Sequence, residues 1–137
     1  MNVFLDTNIL ISAVLNSNST PAKAFIKAVS FPNRGLVCEQ NIDEMRRIFN
    51  RKFPAKIQAL ETFLSLALLT LEVVNIPDLE YTSENSIRDV NDRAILRAAI
   101  FAKADVLVTG DKDFLESDIV NPKILTAAEF LDFESEK

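Results

Sequence analysis

Short apolar runs alternate along this chain with segments in which apolar side chains recur at helical spacing. The short runs predict five strands, at residues 3–5, 36–38, 73–76, 106–108 and 124–125. Strands that are continuously apolar and separated by helices indicate a parallel sheet covered on both faces. We therefore expect one three-layer α/β/α domain over residues 1–133, with residues 134–137 as a short frayed tail.

Four longer segments have the apolar periodicity of helices, at residues 20–29, 41–50, 54–70 and 91–103. Thr20 is the expected N-cap of its helix, because Pro21 suits the first helical position. The 54–70 segment is apolar on more than one side, since three residues lie off its main stripe: Phe63, Leu66 and Leu69. Such residues fit either burial within the domain or a dimer interface.

The residue types that are missing narrow the chemistry. The chain has no histidine, one cysteine and two glycines. Without histidine, Ser-His-Asp and Cys-His catalysis and the usual zinc sites are excluded. Two glycines cannot build a P-loop or a dinucleotide-binding GxGxxG motif. Cys38 lies in an apolar stretch and is expected in the core, so any chemistry depends on carboxylates, hydroxyls, amides, Lys and Arg.

Length, charge and hydropathy set further bounds. At 137 residues the chain suits a single domain with a sizeable core. No apolar run is long enough to cross a bilayer, so we expect a cytoplasmic protein with no membrane contact. The mean hydropathy of +0.12 indicates a surface for self-association or for a partner. A net charge of −5 is the wrong sign for a nucleic-acid binder, although it leaves room for a local basic patch.

Four acidic residues are expected to converge on one edge of the predicted sheet. In open α/β sheets, ligands bind beyond the carboxyl ends of the strands. Asp6 directly follows the first predicted strand, and Asp111 lies three residues after the fourth. If these strands are neighbours, their ends lie ~5 Å apart. Asp92 and Glu44 stand near the starts of two helices, which begin at the same edge, so they would join the group.

Crowded carboxylates indicate a cation site. Like charges at close range raise each other's pKa and destabilise the fold, and a divalent cation removes that penalty. Oxygen ligands without histidine or thiolate favour Mg²⁺ or Mn²⁺. Two such ions suit in-line displacement at phosphorus, which points to phosphodiester hydrolysis.

Each acid also has a simpler explanation when it is taken alone. Asp6 and Asp92 could be helix caps, and Glu44 could be a solvated helix residue. Asp111 and Asp113 could be turn residues after a glycine. Convergence on one edge favours the shared site, because independent caps have no reason to meet.

Segments in four places resemble the PIN domain family. They are Leu5-Asp6-Thr7-Asn8, Glu44, Asp92-Arg93-Ala94-Ile95-Leu96-Arg97-Ala98-Ala99 and Val108-Thr109-Gly110-Asp111-Lys112-Asp113-Phe114. The resemblance runs from Asn2 to about Leu131, nearly the whole chain. Residues 89–92 are most similar to a bacterial and archaeal branch described as toxins of toxin–antitoxin pairs, the VapC-like ribonucleases.

The resemblance implies a Rossmann-like nuclease whose central sheet is parallel. The family's four acids, which are both metal ligands and catalytic residues, match Asp6, Glu44, Asp92 and Asp111. Its supporting polar positions match Asn8, Thr109, Asp113 and Asp89. The implied cofactor is Mg²⁺ or Mn²⁺ and the implied substrate is RNA. The implied partners are a second copy of the chain in a homodimer and an antitoxin protein that blocks the acidic site.

The phosphate-binding surface is expected on basic residues that flank these acids. Four are candidates for RNA binding: Arg46, Arg47, Arg51 and Lys112. A solvated helical face explains the three arginines equally well.

Three functions compete at this point. The first is a metal-dependent endoribonuclease, the toxin of a toxin–antitoxin pair, which forms no covalent enzyme intermediate. The second is a catalytically inactive PIN-like module that binds RNA or protein. The third is a phosphatase-like or receiver-type domain with Asp6 as nucleophile or phosphoacceptor. Asn8 opposes a phosphatase of the haloacid-dehalogenase type, because that pattern needs an aspartate at this position.

Overall fold

A computed structural model describes residues 1–134 of the chain and contains a five-stranded, entirely parallel sheet within them. The strands are β1 (Asn2–Leu5), β2 (Arg34–Cys38), β3 (Leu71–Val74), β4 (Val106–Val108) and β5 (Lys123–Leu125). Their spatial order is β3-β2-β1-β4-β5. The predicted α/β fold with a central parallel sheet is confirmed. Part of the predicted tail, residues 135–137, lies outside the described residues.

Seven helices connect or follow these strands within residues 1–134. They are α1 (Thr7–Leu15), α2 (Thr20–Val29), α3 (Glu39–Lys52), α4 (Ile57–Ala67), α5 (Val90–Phe101), α6 (Lys112–Leu115) and α7 (Ala127–Asp132). Two short 3₁₀ helices, Pro54–Lys56 and Thr82–Ser86, precede α4 and α5. None of the helices in the described part is both long and apolar enough to span a membrane.

The helices cover the sheet in two layers, as the alternation along β1 shows. Val3 and Leu5 are fully buried against α1 to α4 and α7, whereas Phe4 between them is fully buried against α5 and α6. Leu107 of β4 belongs to the same hydrophobic core as Phe4, on the side of the sheet that α5 and α6 cover. Burial on both faces explains why β1 and β4 contain only apolar residues apart from Asn2 at the start of β1.

Four local expectations were wrong. The N-cap of α2 is Ser19 rather than Thr20, since its hydroxyl accepts the Ala22 N–H at 3.2 Å. The predicted helix at 54–70 divides into a 3₁₀ turn and the shorter α4. β3 begins at residue 71 rather than 73, because this edge strand exposes Glu72 and therefore lacks a continuous apolar run. The short helices α6 and α7 were not predicted.

The apolar residues off the main stripe of α4 have different environments. Phe63 packs against Phe25 of α2 with ring centroids 5.2 Å apart, so burial within the domain explains it. Leu66 and Leu69 are exposed, at 64% and 81%. The homodimer remains a prediction.

Candidate metal centre

Asp6 sits where β1 ends, and the neighbouring strand β4 ends beside it, because Leu5 pairs with Val108 in the sheet. The Asp6 side chain is buried, with 4% exposure. Its Oδ1 accepts the Thr7 N–H at 2.8 Å and so caps α1. Its Oδ2 accepts the Thr109 hydroxyl at 2.7 Å. Asp6 is therefore both a helix cap and a group that faces the end of β4.

Two supporting residues join the ends of β1 and β4. The Thr109 hydroxyl, which donates to Asp6, also accepts the Asp111 N–H at 3.0 Å. The Asn8 amide donates to Asp6 Oδ2 at 3.3 Å, while its carbonyl oxygen accepts the Gly110 N–H at 3.0 Å. The structure thus brings both residues into contact with Asp6 and with the loop that carries Asp111.

Three further carboxylates meet at this edge. One carboxylate oxygen each from Asp92, Asp111 and Asp113 lies within 4.8 Å of the other two. Asp111 is the N-cap of α6, and its Oδ1 accepts the Asp113 N–H at 2.9 Å. Among the described residues, the buried Oδ2 of Asp92 has no hydrogen-bond partner. A buried carboxylate oxygen without a donor is costly, and a bound cation removes that cost.

The environment disfavours negative charge on two of these acids. Burial raises the pKa of Asp6 from 3.8 to about 6, and the charges of Glu44 and Asp111 add to the rise. Its hydrogen bonds from Thr109 and the Thr7 N–H act in the opposite direction. Burial also raises the pKa of Asp92 from 3.8 to about 8, reinforced by the adjacent Asp111 carboxylate. A divalent cation would reverse both shifts, because it favours the ionised forms.

Glu44 is placed near the site by α3, although it lies outside the three-carboxylate group. It is half-buried on α3 and close enough for its charge to raise the pKa of Asp6. One turn earlier, the fully buried Asn41 donates to the Thr7 hydroxyl at 2.9 Å and accepts the Cys38 N–H at 2.8 Å. Sequence reasoning missed Asn41. Its signal was an amide on the third residue of a helix, three residues before Glu44.

The remaining acids serve as a cap and as an ion-pair partner. Asp89 is exposed and caps α5, where its Oδ1 accepts the Asn91 N–H at 2.8 Å. Asp113 accepts a hydrogen bond from Arg88 Nη2 at 3.0 Å. Sequence reasoning did not select Arg88, although it directly precedes the acidic segment that begins at Asp89.

The predicted RNA-binding residues differ in their surroundings. Arg46 forms a bidentate ion pair with Glu61 of α4, at 3.1 and 3.0 Å. Arg47 and Arg51 are exposed and stand three and seven residues after Glu44, so all three share a face of α3. Lys112 is exposed, next to Asp111 in the chain. Lys112 is thus adjacent in the chain to two acids of the cluster, Asp111 and Asp113, and contact with RNA remains a prediction for all four basic residues.

The donor set fits a hard divalent cation. Carboxylate and hydroxyl oxygens are the ligands that Mg²⁺ and Mn²⁺ prefer. The unpartnered Asp92 Oδ2 and the raised pKa values of Asp6 and Asp92 are the signature of acids that lack their counter-charge. By contrast, Asp6 is a poor candidate for a covalent nucleophile, because it is buried and both of its oxygens already accept hydrogen bonds.

The strand order and the acids at the ends of β1 and β4 define a Rossmann-like domain with its site where the strand order reverses. A model of the PIN domain matches residues 2–113, and the chain belongs to the PIN domain family. The family resemblance of the sequence is thereby confirmed.

Solved structures show the same fold. A chain of VapBC2 from Rickettsia felis, solved bound to a DNA fragment from their promoter, is 20% identical with a TM-score of 0.62. The match covers 86% of this chain and 94% of that one. A chain of VapBC-1 from nontypeable Haemophilus influenzae is 19% identical with a TM-score of 0.64, covering 93% and 99%. Comparison with curated proteins gives no match.

Proposed function

We propose that this protein is a Mg²⁺- or Mn²⁺-dependent endoribonuclease that acts as the toxin of a toxin–antitoxin pair. The observation that carries the proposal is the meeting of Asp92, Asp111 and Asp113 within 4.8 Å, at the end of a strand that neighbours Asp6, in a PIN domain. The unpartnered buried oxygen of Asp92 supports a cation as the missing partner.

The side chains would divide the work by position. Asp6, Asp92 and Asp111 would hold the metal, with Glu44 as a further ligand from α3. When bound, the divalent cation supplies the positive charge that acidifies water and stabilises charge developing at a phosphate. Thr109 keeps Asp6 oriented through its 2.7 Å hydrogen bond.

The toxin role is supported by two similarities. Residues 89–92 resemble the toxin branch of the family, and the fold resembles chains from two VapBC structures. A cognate antitoxin protein is therefore the proposed partner. Purification of the chain together with the product of a small neighbouring reading frame would test it, and cleavage that persists at full strength in such a complex would contradict it.

The homodimer is the second proposed assembly. Two exposed leucines, Leu66 in the last turn of α4 and Leu69 just after the helix, offer an apolar surface for it. Sedimentation of the purified chain should show a dimer that Leu69→Lys converts to a monomer. A monomeric wild-type protein at all concentrations would contradict this assembly.

The nuclease is tested by incubating purified protein with labelled single-stranded RNA in Mn²⁺, Mg²⁺ or EDTA. Asp6→Asn and Asp111→Asn should abolish metal-dependent cleavage while the variants remain folded by circular dichroism. Asp118→Asn is the matched control, since it makes the same charge change at an exposed residue that is not part of the carboxylate group. Equal cleavage by the Asp6 and Asp111 variants would refute the proposal.

An inactive binding module remains the alternative, and calorimetry separates it from the nuclease. A folded protein that binds neither Mn²⁺ nor Mg²⁺ and cleaves no RNA would be such a module. Binding of metal that is lost in Asp92→Asn would support the nuclease even where the assay RNA is not the natural substrate.

A further inference from the structure

Arg88 is a cation at the rim of the carboxylate group, and the proposed function gives it no role. It lies in the loop directly before α5, and its Nη2 donates to Asp113 Oδ1 of α6 at 3.0 Å. Its side chain is 88% exposed, whereas that of Asp113 is 25% exposed. Within residues 1–134 this is the one side-chain hydrogen bond that the guanidinium makes, so its other N–H donors face solvent.

The neighbouring arginines, Arg93 and Arg97, make different contacts from those of Arg88. Arg97 binds Glu84 through two nitrogens, at 3.0 and 2.8 Å, and is mostly buried. Arg93 donates to the Ile87 carbonyl oxygen at 2.6 Å. Both hold the segment before α5 in place. Arg88, in contrast, contributes little to the fold, because an exposed ion pair with one hydrogen bond adds little stability.

An RNA strand that approaches this edge meets a group of negative side chains. A phosphate group needs a locally positive potential to bind there. The chain's net charge of −5 provides no attraction for it at long range. A guanidinium is suited to this task, since its planar fork matches two phosphate oxygens. Anchoring by Asp113 reduces the entropy that Arg88 would lose on binding a ligand.

We propose that Arg88 binds a backbone phosphate of the RNA substrate beside the metal-binding carboxylates, with Asp113 as its anchor. This inference rests on the proposed function. It gives Asp113 a role distinct from that of Asp92 and Asp111, because its carboxylate positions a cation of the protein itself. Arg88→Lys keeps the charge but loses the fork, so it should restore only part of the affinity that Arg88→Gln loses.

The test measures affinity for fluorescein-labelled single-stranded RNA by anisotropy in Mn²⁺, with every protein carrying Asp6→Asn to prevent cleavage. Arg88→Gln should weaken binding about 10-fold, as expected for a lost charge-assisted hydrogen bond. It should also reduce the slope of log affinity against log salt by about 0.7, the value for one phosphate contact on a single strand. Arg34→Gln is the matched control, because Arg34 is an exposed arginine paired with Glu72 at the opposite end of the sheet and should change affinity less than about 2-fold.

Several results would overturn the inference. One is equal affinity of the Arg88→Gln and parent proteins, and another is no RNA binding by either. A third is calorimetry in which Arg88→Gln tightens Mn²⁺ binding while RNA affinity stays constant, since Arg88 would then only compete with the metal. In a protein that already carries Arg88→Gln, Asp113→Asn should weaken RNA binding little further, because Asp113 acts through Arg88. Additive losses of RNA affinity would refute that role of Asp113.

The two proposals fail separately. In proteins that retain Asp6, Arg88→Gln should raise KM more than it lowers kcat. Cleavage by the wild type with no change in KM refutes the role of Arg88 alone. Arg88-dependent RNA binding by a wild-type protein that neither cleaves RNA nor binds Mn²⁺ or Mg²⁺ refutes the nuclease and leaves the phosphate contact standing.

Discussion

Replacing Asp6 with asparagine should stabilise the metal-free protein, although it removes a residue of the site. Asp6 is buried, and its pKa rises from 3.8 to about 6 in the folded state. At ~1.4 kcal/mol per pKa unit, the ionised carboxylate lowers the free energy of unfolding by about 3 kcal/mol at a pH well above 6. Asparagine has nearly the same shape and carries no charge.

The sign of the pH dependence follows from the direction of this shift. Because the folded state binds the proton more tightly than the unfolded chain, wild-type protein gains stability as pH falls through 6 towards 3.8. The advantage of Asp6→Asn should therefore be greatest at pH 8 and shrink at pH 5. We expect about 1–3 kcal/mol at pH 8, less than the full amount if the new amide pairs imperfectly with the Thr109 hydroxyl.

Urea unfolding in EDTA at both pH values measures this difference, with Asp118→Asn as the exposed control. Adding Mn²⁺ should then reverse the order of stability, since the metal stabilises the wild type and binds the variant weakly. An Asp6→Asn protein that is less stable than the wild type at pH 8 would refute the argument. So would a stability difference that is the same at pH 5 and pH 8.

Three other substitutions test separate parts of the structure. Asp92→Asn should raise the melting temperature in EDTA at pH 8 and abolish Mn²⁺ binding in calorimetry, because the pKa of Asp92 is raised to about 8; a clear fall in melting temperature would contradict this. Glu84→Gln should lower the free energy of urea unfolding by about 1–3 kcal/mol, since it removes the charge that binds the mostly buried Arg97 through two nitrogens and leaves only the longer ion pair with Glu80, at 3.4 Å; an unchanged free energy would contradict this. Asn41→Ala should cost about 1–3 kcal/mol by the same measurement, because it leaves the Cys38 N–H buried without a partner. It should also weaken Mn²⁺ binding, because it removes the donor to the hydroxyl of Thr7, the residue next to Asp6; unchanged metal affinity would show that Asn41 serves the fold alone.

Four of the five strands were predicted to within two residues, and β3 was the strand displaced at both ends. β1, β2 and β4 lie in the middle of the sheet, and the predicted strands there match to within two residues. β3 lies at an edge of the sheet with Glu72 exposed, so the apolar run that predicted this strand begins two residues after the strand itself. The missed helices α6 and α7 are too short for a helical period to emerge from the sequence.

The place of the site was easier to predict than its internal contacts. That Asp6 and Asp111 approach each other follows from two neighbouring parallel strands that end at one edge. The hydrogen bond from Thr109 to Asp6, by contrast, joins residues 103 positions apart. The direction in which a hydroxyl points at a strand end depends on the packing around it. The residues next to it in the sequence do not determine that packing. The same holds for Asn41 and Arg88, whose partners lie on other elements.

For Asp6 and Asp111 the capping and metal-site explanations turn out to be compatible, because each carboxylate has two oxygens, whereas the expected capping role of Asp92 was wrong, since Asp89 caps α5. Asp6 uses Oδ1 to cap α1 and Oδ2 to face β4, and Asp111 uses Oδ1 to cap α6. A cap fixes the direction of the side chain relative to its helix, so the helix starts themselves orient the acids toward one another. Each cap also places its charge at the positive end of a helix dipole, which offsets part of the repulsion that results. Helix starts that cluster at one edge of a parallel sheet therefore supply both the geometry of the acids and part of the stability that holds them together without metal.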